Sequence, residues 1–452
     1  MSMKIKLIMA AAETDPLHNN NPFMPISLPL LAAAAPGHDY TIVDLLKDKD
    51  VNFEEPVDLV GISVRYMSEE RAYRIADEFR KRGIPVVLGG PQASAVPFRA
   101  VKHADAVVVG EGEHVWPTLL KDFERKALRE FYVGSPEPFD PQGHTMHQVT
   151  EYLDLKDVPV PLRHLVKHRY VFDTVFASRG CPIQCDFCAV PTMFGKPFRL
   201  RPIKDVVAEI DTFKNYYYLL DDTVFGKQST YDYYLDLYDE IAKLTKRRFW
   251  TGQANLDAAA DERGRAVIRR ARDAGLIYAA VGIESVNRAT LAKSGAYRKM
   301  GIGTAKSHLA RIREHVRFIQ DQGIIVSGWF VVGYEEDTVE TYYRTCEFCE
   351  EMNILPVIFP VNALPGTELY RRMEQSGRLG KTRFTNIIHP TITDDDIVKA
   401  LRHVGQKGYS LKKNLNRIRF YLSKFKTDKI HKTIFLHILH SKLKQSIDVT
   451  VR

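Results

Sequence analysis

In the first third of the chain, short runs of aliphatic and β-branched residues alternate with segments whose apolar positions recur every three or four residues. Lys4–Ala10, Tyr40–Asp44, Leu59–Val64, Pro85–Leu88 and Ala106–Val109 read as strands. Between the third and fourth, Ser68–Arg82 places Ala72, Ile75, Ala76 and Phe79 on one side of a helix. This alternation predicts an open parallel α/β sheet. A stretch rich in Pro, Gly and His follows, about Val133–His168. It reads as a linker or a docked extended arm, because it is too long for a loop inside one domain. A second βα series begins near Val171, with strands expected at Thr174–Ser178, Tyr216–Leu220, Arg248–Gln253, Tyr278–Ile283, Ile325–Val332 and Val357–Pro360. Six such units predict a partial barrel, and from about Thr391 the pattern is helical.

Composition refines this division. At 452 residues, 45% hydrophobic and 27% charged, the chain is too long for one typical domain and too apolar to be disordered. The net charge of +8 is not spread evenly: Lys407–Arg452 holds twelve Lys/Arg against Asp428 and Asp448, which leaves 52 bases and 54 acids before it. Leu411, Leu415, Ile418, Leu422 and Phe425 recur at helical spacing in this tail, with Lys412, Lys413, Arg417, Arg419, Lys424 and Lys426 mostly elsewhere around the helix. Ile430, Ile434 and Ile438 continue the theme, with Phe435 and Leu439 alongside. Such a helix either lies on an anionic membrane surface or packs on the barrel with a solvated basic face. RNA ranks below lipid as a partner, since the tail lacks a nucleic-acid-binding module. No apolar run is long enough to span a bilayer, and the N-terminus does not resemble a signal peptide. A cytoplasmic protein is expected, peripheral to the inner membrane surface if the tail binds lipid. The expected divisions are 1–135, 136–170 (linker), 171–385 and 386–452.

Three of the five cysteines fall within eight residues, in Ala177-Ser-Arg-Gly-Cys181-Pro-Ile-Gln-Cys185-Asp-Phe187-Cys188. That spacing points to a metal in a reducing compartment instead of a disulfide framework. Three thiolates on one loop suit three irons of a cubane and leave the fourth iron open. Structural zinc normally takes four ligands in two separated pairs, and no second pair is near in sequence. Cys346 and Cys349 form a second C-x-x-C, but they share a helical face with Tyr342, Thr345 and Met352, which favours core packing over redox chemistry.

The C-x3-C-x2-C loop, with an aromatic before its last cysteine and a strand before its first, resembles the radical SAM superfamily. The resemblance implies a [4Fe–4S] cluster on Cys181, Cys185 and Cys188, whose unique iron chelates S-adenosylmethionine and reductively cleaves it to a 5′-deoxyadenosyl radical. It also implies S-adenosylmethionine contacts from Phe187, from Asp222 in Asp221-Asp222-Thr, from Gly282, Glu284 and Ser285 at the fourth strand end, and from Gly333 in Val331-Val-Gly333. Trp329 replaces the usual first glycine of that fifth-strand motif. Asn362-Ala-Leu-Pro-Gly366 resembles the loop after the sixth strand. Gln253 and Asn255 stand at another strand end and rank lower. A structural reading competes at each position, because paired acids such as Asp221/Asp222 are often solvated caps and Glu284 could cap a helix.

In the N-terminal series, Ser63, Gly89, Gly90 and Gly110 place small residues at successive strand ends, where open α/β sheets bind ligands. With Asn21-Pro-Phe-Met-Pro25 and Gly90-Pro91-Gln92, they resemble the cobalamin-binding domain fused to many radical SAM proteins. The D-x-H-x-x-G motif is missing, and Asp15-Pro-Leu-His18 has the wrong spacing, so no lower axial histidine is expected. A domain that keeps the fold without the cofactor is the alternative. The fold expected is therefore a Rossmann-like, cobalamin-type sheet, then a partial (β/α)6 barrel of TIM type, then a basic helical tail. The function expected is cobalamin-dependent radical C-methylation of a hydrophobic small molecule or lipid-like substrate, with flavodoxin or ferredoxin as electron donor. Radical rearrangement or cyclisation without methyl transfer, and a non-catalytic iron–sulfur sensor, are the competing readings.

Overall fold

Alternate residues of the N-terminal strands fall into two separate cores. Ile8, Val60, Ile62, Val86, Leu88 and Val107 join one, while Leu7, Leu59, Val87, Ala106 and Val108 join the other. A strand apolar on both faces must be covered on both, which is why these runs are continuous in sequence and not alternating. In this computed structural model, residues 2–13, 15, 21–181, 183, 185–299, 308–426 and 428–450 are described. The chain divides into two compact units. The first is Met1–Thr174 with Ser178–Gly180 and Ala189–Pro202, and the second is Val175–Ala177, Cys181–Cys188 and Ile203–Arg452.

The first unit is built on a seven-stranded sheet of β1 (Lys4–Met9), β2 (Asp39–Asp44), β3 (Leu59–Ser63), β4 (Val86–Gly89), β5 (Ala106–Gly110), β6 (Phe131–Gly134) and β7 (Met146–Gln148). Its order is β2-β1-β3-β4-β5-β6-β7, with every pairing parallel. The predicted helix forms over Glu69–Lys81 and buries Ala72, Tyr73, Ile75, Ala76 and Phe79. Glu69 and Glu70 in its first turn and Arg80 and Lys81 in its last oppose the helix dipole favourably. The sequence pattern missed β6 and β7: the former is four residues long and the latter is a half-buried edge strand with little apolar content. The segment read as a linker or arm contributes β7. It then ties to the first unit through Leu162 N–H to Pro29 O (3.1 Å), His168 to Asp48 (2.7 Å) and Tyr170 O–H to Asp44 (2.5 Å).

The second sheet comprises β8 (Asp173–Val175), β11 (Tyr216–Leu219), β12 (Phe249–Ala254), β13 (Leu276–Glu284), β14 (Ile325–Val332) and β15 (Leu355–Pro360), neighbouring one another in chain order. The pairings from β11 to β15 are parallel. This is the strand series expected of a partial barrel. Between β8 and β11, β9 (Ser178–Arg179) and β10 (Arg199–Leu200) form a short antiparallel pair.

The tail folds as helices Asp394–His403, Leu411–Lys424 and Lys429–Thr450. It corrects the sequence reading in one respect. Phe425 leaves the leucine stripe and is buried, stacked on Tyr421 at 5.8 Å, and Tyr421 in turn accepts the Val326 amide at 2.9 Å. Lys432 is buried with its ammonium 5.1 Å from the Phe425 ring. Desolvation outweighs the attraction of Asp428 and draws its pKa from 10.5 to about 8. Burying this charge costs about 3 kcal/mol below pH 8. Between pH 8 and 10.5 the unfolded chain holds a proton the folded chain has released, so stability rises with pH there. Lys432→Met is therefore expected to raise the melting midpoint at pH 7 by about 3–6 °C. The gain should vanish by pH 10.5, which melts at the two pH values would check.

Candidate functional site

The loop that leaves β8 carries the three clustered thiols. Cys181 and Cys185 are buried, Cys188 is half-buried, and none is in a disulfide. Pro182 and Gln184 lie outside the described residues, as does His18 of the N-terminal segment. Among the described residues, no three His, Cys, Asp or Glu side chains converge as ligands of a single ion would. A cubane instead takes one thiolate per iron, which spreads its ligands more widely. The donor set, three reduced thiols on one turn, fits that group. Before the loop, Gly180 has φ +88°, and a Cβ there would meet Pro197 O at 2.2 Å, so only glycine fits this step.

Asp186 anchors the loop, and sequence reasoning missed it. Its amide donates to Ser294 O (3.0 Å) and its carbonyl accepts from Leu369 N–H (2.8 Å). One carboxylate oxygen accepts the Tyr334 hydroxyl (2.6 Å) and the other accepts the Arg372 guanidinium (2.9 Å). Burial, reinforced by the Asp186 carboxylate, raises the Tyr334 pKa, so the phenol stays a donor. Beside it, Phe187 packs against the buried cluster that includes Tyr334, Val361 and Leu369. The one available signal was an acid between two cysteines; its partners lie far along the chain.

The strand ends divide their polar residues between support and exposure. Asp221 is buried and accepts from the Ala177 amide and the Tyr234 hydroxyl, both at 2.7 Å. The end of β8 is thereby tied to the end of β11. Asp222 is half-buried beside Tyr218, whose hydroxyl pKa is raised by burial with help from Tyr278 and Asp222. Gln253 is exposed, whereas Asn255 is buried and bonded to Thr223 and Asp257.

At the end of β13 the register against β14 shifts between Gly282 and Glu284, and Glu284 is buried with φ +64°. A non-glycine residue in that region stores about 1–3 kcal/mol of strain, of the kind that clusters at functional sites. Ser285 is buried and its hydroxyl oxygen accepts the Asn287 amide (3.0 Å). Gly333 and Tyr334 donate their amides to Asp337 (3.0 and 3.1 Å), while the other oxygen of Asp337 accepts from Thr290 (2.7 Å) and Asn287 (3.2 Å). Asp337, also missed from sequence, thus fixes the turns after β13 and β14 to each other. Trp329 is the register partner of Gly282, with its ring 5.5 Å from Phe359.

In the first unit, Ser63 and Gly89 are register partners at the ends of β3 and β4, and Gly110 closes β5 opposite Gly134. Gly90 has φ +89°, and Gly110 donates its amide to Ser94 (3.0 Å). These small residues leave a low edge with little side-chain bulk, which suits a broad ligand lying against backbone. Next to it, buried Glu111 accepts from Arg179 (2.5 Å) and Arg199 (2.7 Å).

Cys346 and Cys349 are buried in the helix Val339–Glu351. Burial pushes the Cys346 thiol up to about 11 and also raises Cys349 well above its ordinary value, so both stay protonated and behave as small apolar residues.

Residues 175–349, which hold the parallel strand series and the three-thiol loop, match the model of the Radical SAM superfamily. The chain is 29% identical over 374 residues to bacteriochlorophyllide d C-8(2)-methyltransferase of Chlorobaculum tepidum, covering 79% of this chain and 78% of that one. It is 26% identical over 330 residues to hopanoid C-2 methylase of Rhodopseudomonas palustris, covering 71% and 58%. Its fold is shared with the cobalamin-dependent S-adenosylmethionine radical enzyme OxsB, solved with aqua-cobalamin and S-adenosylmethionine bound. The TM-score is 0.70 at 15% identity, over 98% of this chain and 71% of that one.

Proposed function

We propose that this chain is a cobalamin-dependent radical SAM C-methyltransferase acting on a hydrophobic small molecule or lipid-like substrate. The observation that carries the reading is the pinned three-thiol loop of a radical SAM domain, in a chain that also holds a seven-stranded parallel sheet with small residues at adjacent strand ends. When bound, the cluster with S-adenosylmethionine supplies a hydrogen-abstracting radical, and cobalamin supplies the methyl group. In this reading Cys181, Cys185 and Cys188 hold the cluster while Asp186 keeps their loop in place. Phe187, Asp222, Gly282, Glu284, Ser285 and Gly333 line the S-adenosylmethionine side, with Asp221 and Asp337 as positioning residues behind them. Ser63, Gly89, Gly90 and Gly110 form the edge against which cobalamin rests. Trp329, where the family motif has glycine, adds a flat apolar wall that favours a bulky apolar substrate. A flavodoxin- or ferredoxin-type donor supplies the electron, and the protein works at a membrane surface.

The test is anaerobic reconstitution, then dithionite, methyl-labelled S-adenosylmethionine and hydroxocobalamin, read as 5′-deoxyadenosine, retained corrinoid and labelled product. Deoxyadenosine, bound corrinoid and label in product are expected. Deoxyadenosine without corrinoid would move the protein to radical rearrangement or cyclisation. An intact cluster with no deoxyadenosine would overturn the enzyme reading.

A further inference from the structure

The last two described helices pack with their polarity reversed. On Leu411–Lys424 the buried positions are Asn414, Arg417 and Tyr421. On Lys429–Thr450 the buried positions include Lys432, Leu436 and His440. The aliphatic side chains face solvent instead: Leu411 is 70% exposed, Ile430 74%, Ile434 53% and Ile438 52%, with Leu415 and Leu422 also exposed. The spacing Leu411/Leu415/Leu422 and Ile430/Ile434/Ile438 sets each group as a stripe along one side of its helix. The helices pack against each other, with Asn414 Nδ2 3.1 Å from His437 Nδ1. Single exposed aliphatic side chains need no explanation, but three leucines and three isoleucines on one helix pair form a surface that asks for a partner.

We propose that these stripes seat the protein on an anionic lipid bilayer. Lys412, Arg419, Lys429, Lys442 and Lys444 on the same two helices are exposed, as is Lys426 in the connection between them. The acid between the helices, Asp428, is paired with Arg247 at 3.3 Å. A second copy of this chain would bring the same six cations against themselves, which like-charge repulsion disfavours. A bilayer satisfies both chemistries at once, taking the aliphatic side chains at the acyl boundary and the ammonium groups among the phosphates. Neither helix is long and apolar enough to cross the membrane, so the pair lies on it. The inference deepens the surface attachment in the proposed function and gives a lipid-like substrate a route to the enzyme. It does not depend on turnover.

The test uses reconstituted full-length protein floated with vesicles of phosphatidylcholine alone or mixed with phosphatidylglycerol. Wild type should co-float with the mixed vesicles, and raised salt should weaken binding. Ile434→Ser/Ile438→Ser should bind at least tenfold more weakly, and Lys426→Gln/Lys429→Gln should lose the preference for phosphatidylglycerol. Deoxyadenosine release from S-adenosylmethionine should be unchanged in both, which separates a failed docking idea from a failed enzyme reading. No flotation of wild type would overturn the proposal. So would a concentration-dependent dimer, by sedimentation without lipid, that the isoleucine variant abolishes.

Discussion

Cys185→Ser is expected to remove the iron–sulfur absorption of reconstituted protein and to cut 5′-deoxyadenosine release by more than ~100-fold, beyond the 10–100-fold typical of losing an outer-shell partner. The reason is stoichiometric: in the proposed cluster each thiolate on the loop would bind one iron, and a serine oxygen is a poor replacement for a soft ligand. Cys181→Ser and Cys188→Ser should behave alike. Cys346→Ala and Cys349→Ala are the controls, because their buried, protonated thiols are packing groups. They should keep the full iron content and lose only a modest amount of stability. Iron and sulfide per chain, read with the absorption spectrum, decide the matter. If Cys185→Ser keeps its cluster while Cys349→Ala loses it, the loop is not the cluster site.

Asp186→Ala should have the second largest effect. It deletes the acceptor of the Tyr334 hydroxyl and the charged partner of Arg372, whose side chain is 30% exposed. Losing two charge-assisted hydrogen bonds, one from a phenol and one from a guanidinium, costs about 3–6 kcal/mol, reduced by the solvent that still reaches Arg372. The functional cost comes from the loop, since Asp186 lies between Cys185 and Cys188. Cluster retention should fall about 10–100-fold, as for loss of a group that orients metal ligands. Tyr334→Phe should reproduce part of this loss and Arg372→Met another part. Circular dichroism of the apo-protein separates a fold defect from a loop defect. Undiminished iron content in Asp186→Ala would remove the positioning role.

The strand series was legible because each strand of the second sheet is a local apolar run bounded by turn residues, and the observed strands lie within a few residues of the expected ones. β6 and β7 escaped because four apolar residues beside an extended arm carry no periodicity to read. The tail shows what helical spacing leaves open. Its leucines and isoleucines have helical spacing, and spacing ordinarily assigns the apolar side to the interior. Burial went instead to Arg417, Tyr421, Lys432 and Phe425, which found aromatic and backbone partners on the second unit. Periodicity identifies a stripe; it does not say what the stripe meets.

By itself, then, the sequence determined the two βα series, the C-x3-C-x2-C loop after a strand, and the concentration of positive charge in the last helices. All of these are properties of neighbours along the chain. Only the tertiary structure decided that Asp186 clamps the loop, that Asp337 joins two turns, and that the tail turns its isoleucines outward. Asp186 meets Tyr334 and Arg372 across 148 and 186 residues. The free energy of a buried carboxylate is set by partners at such separations, which no local pattern of apolar and polar positions encodes.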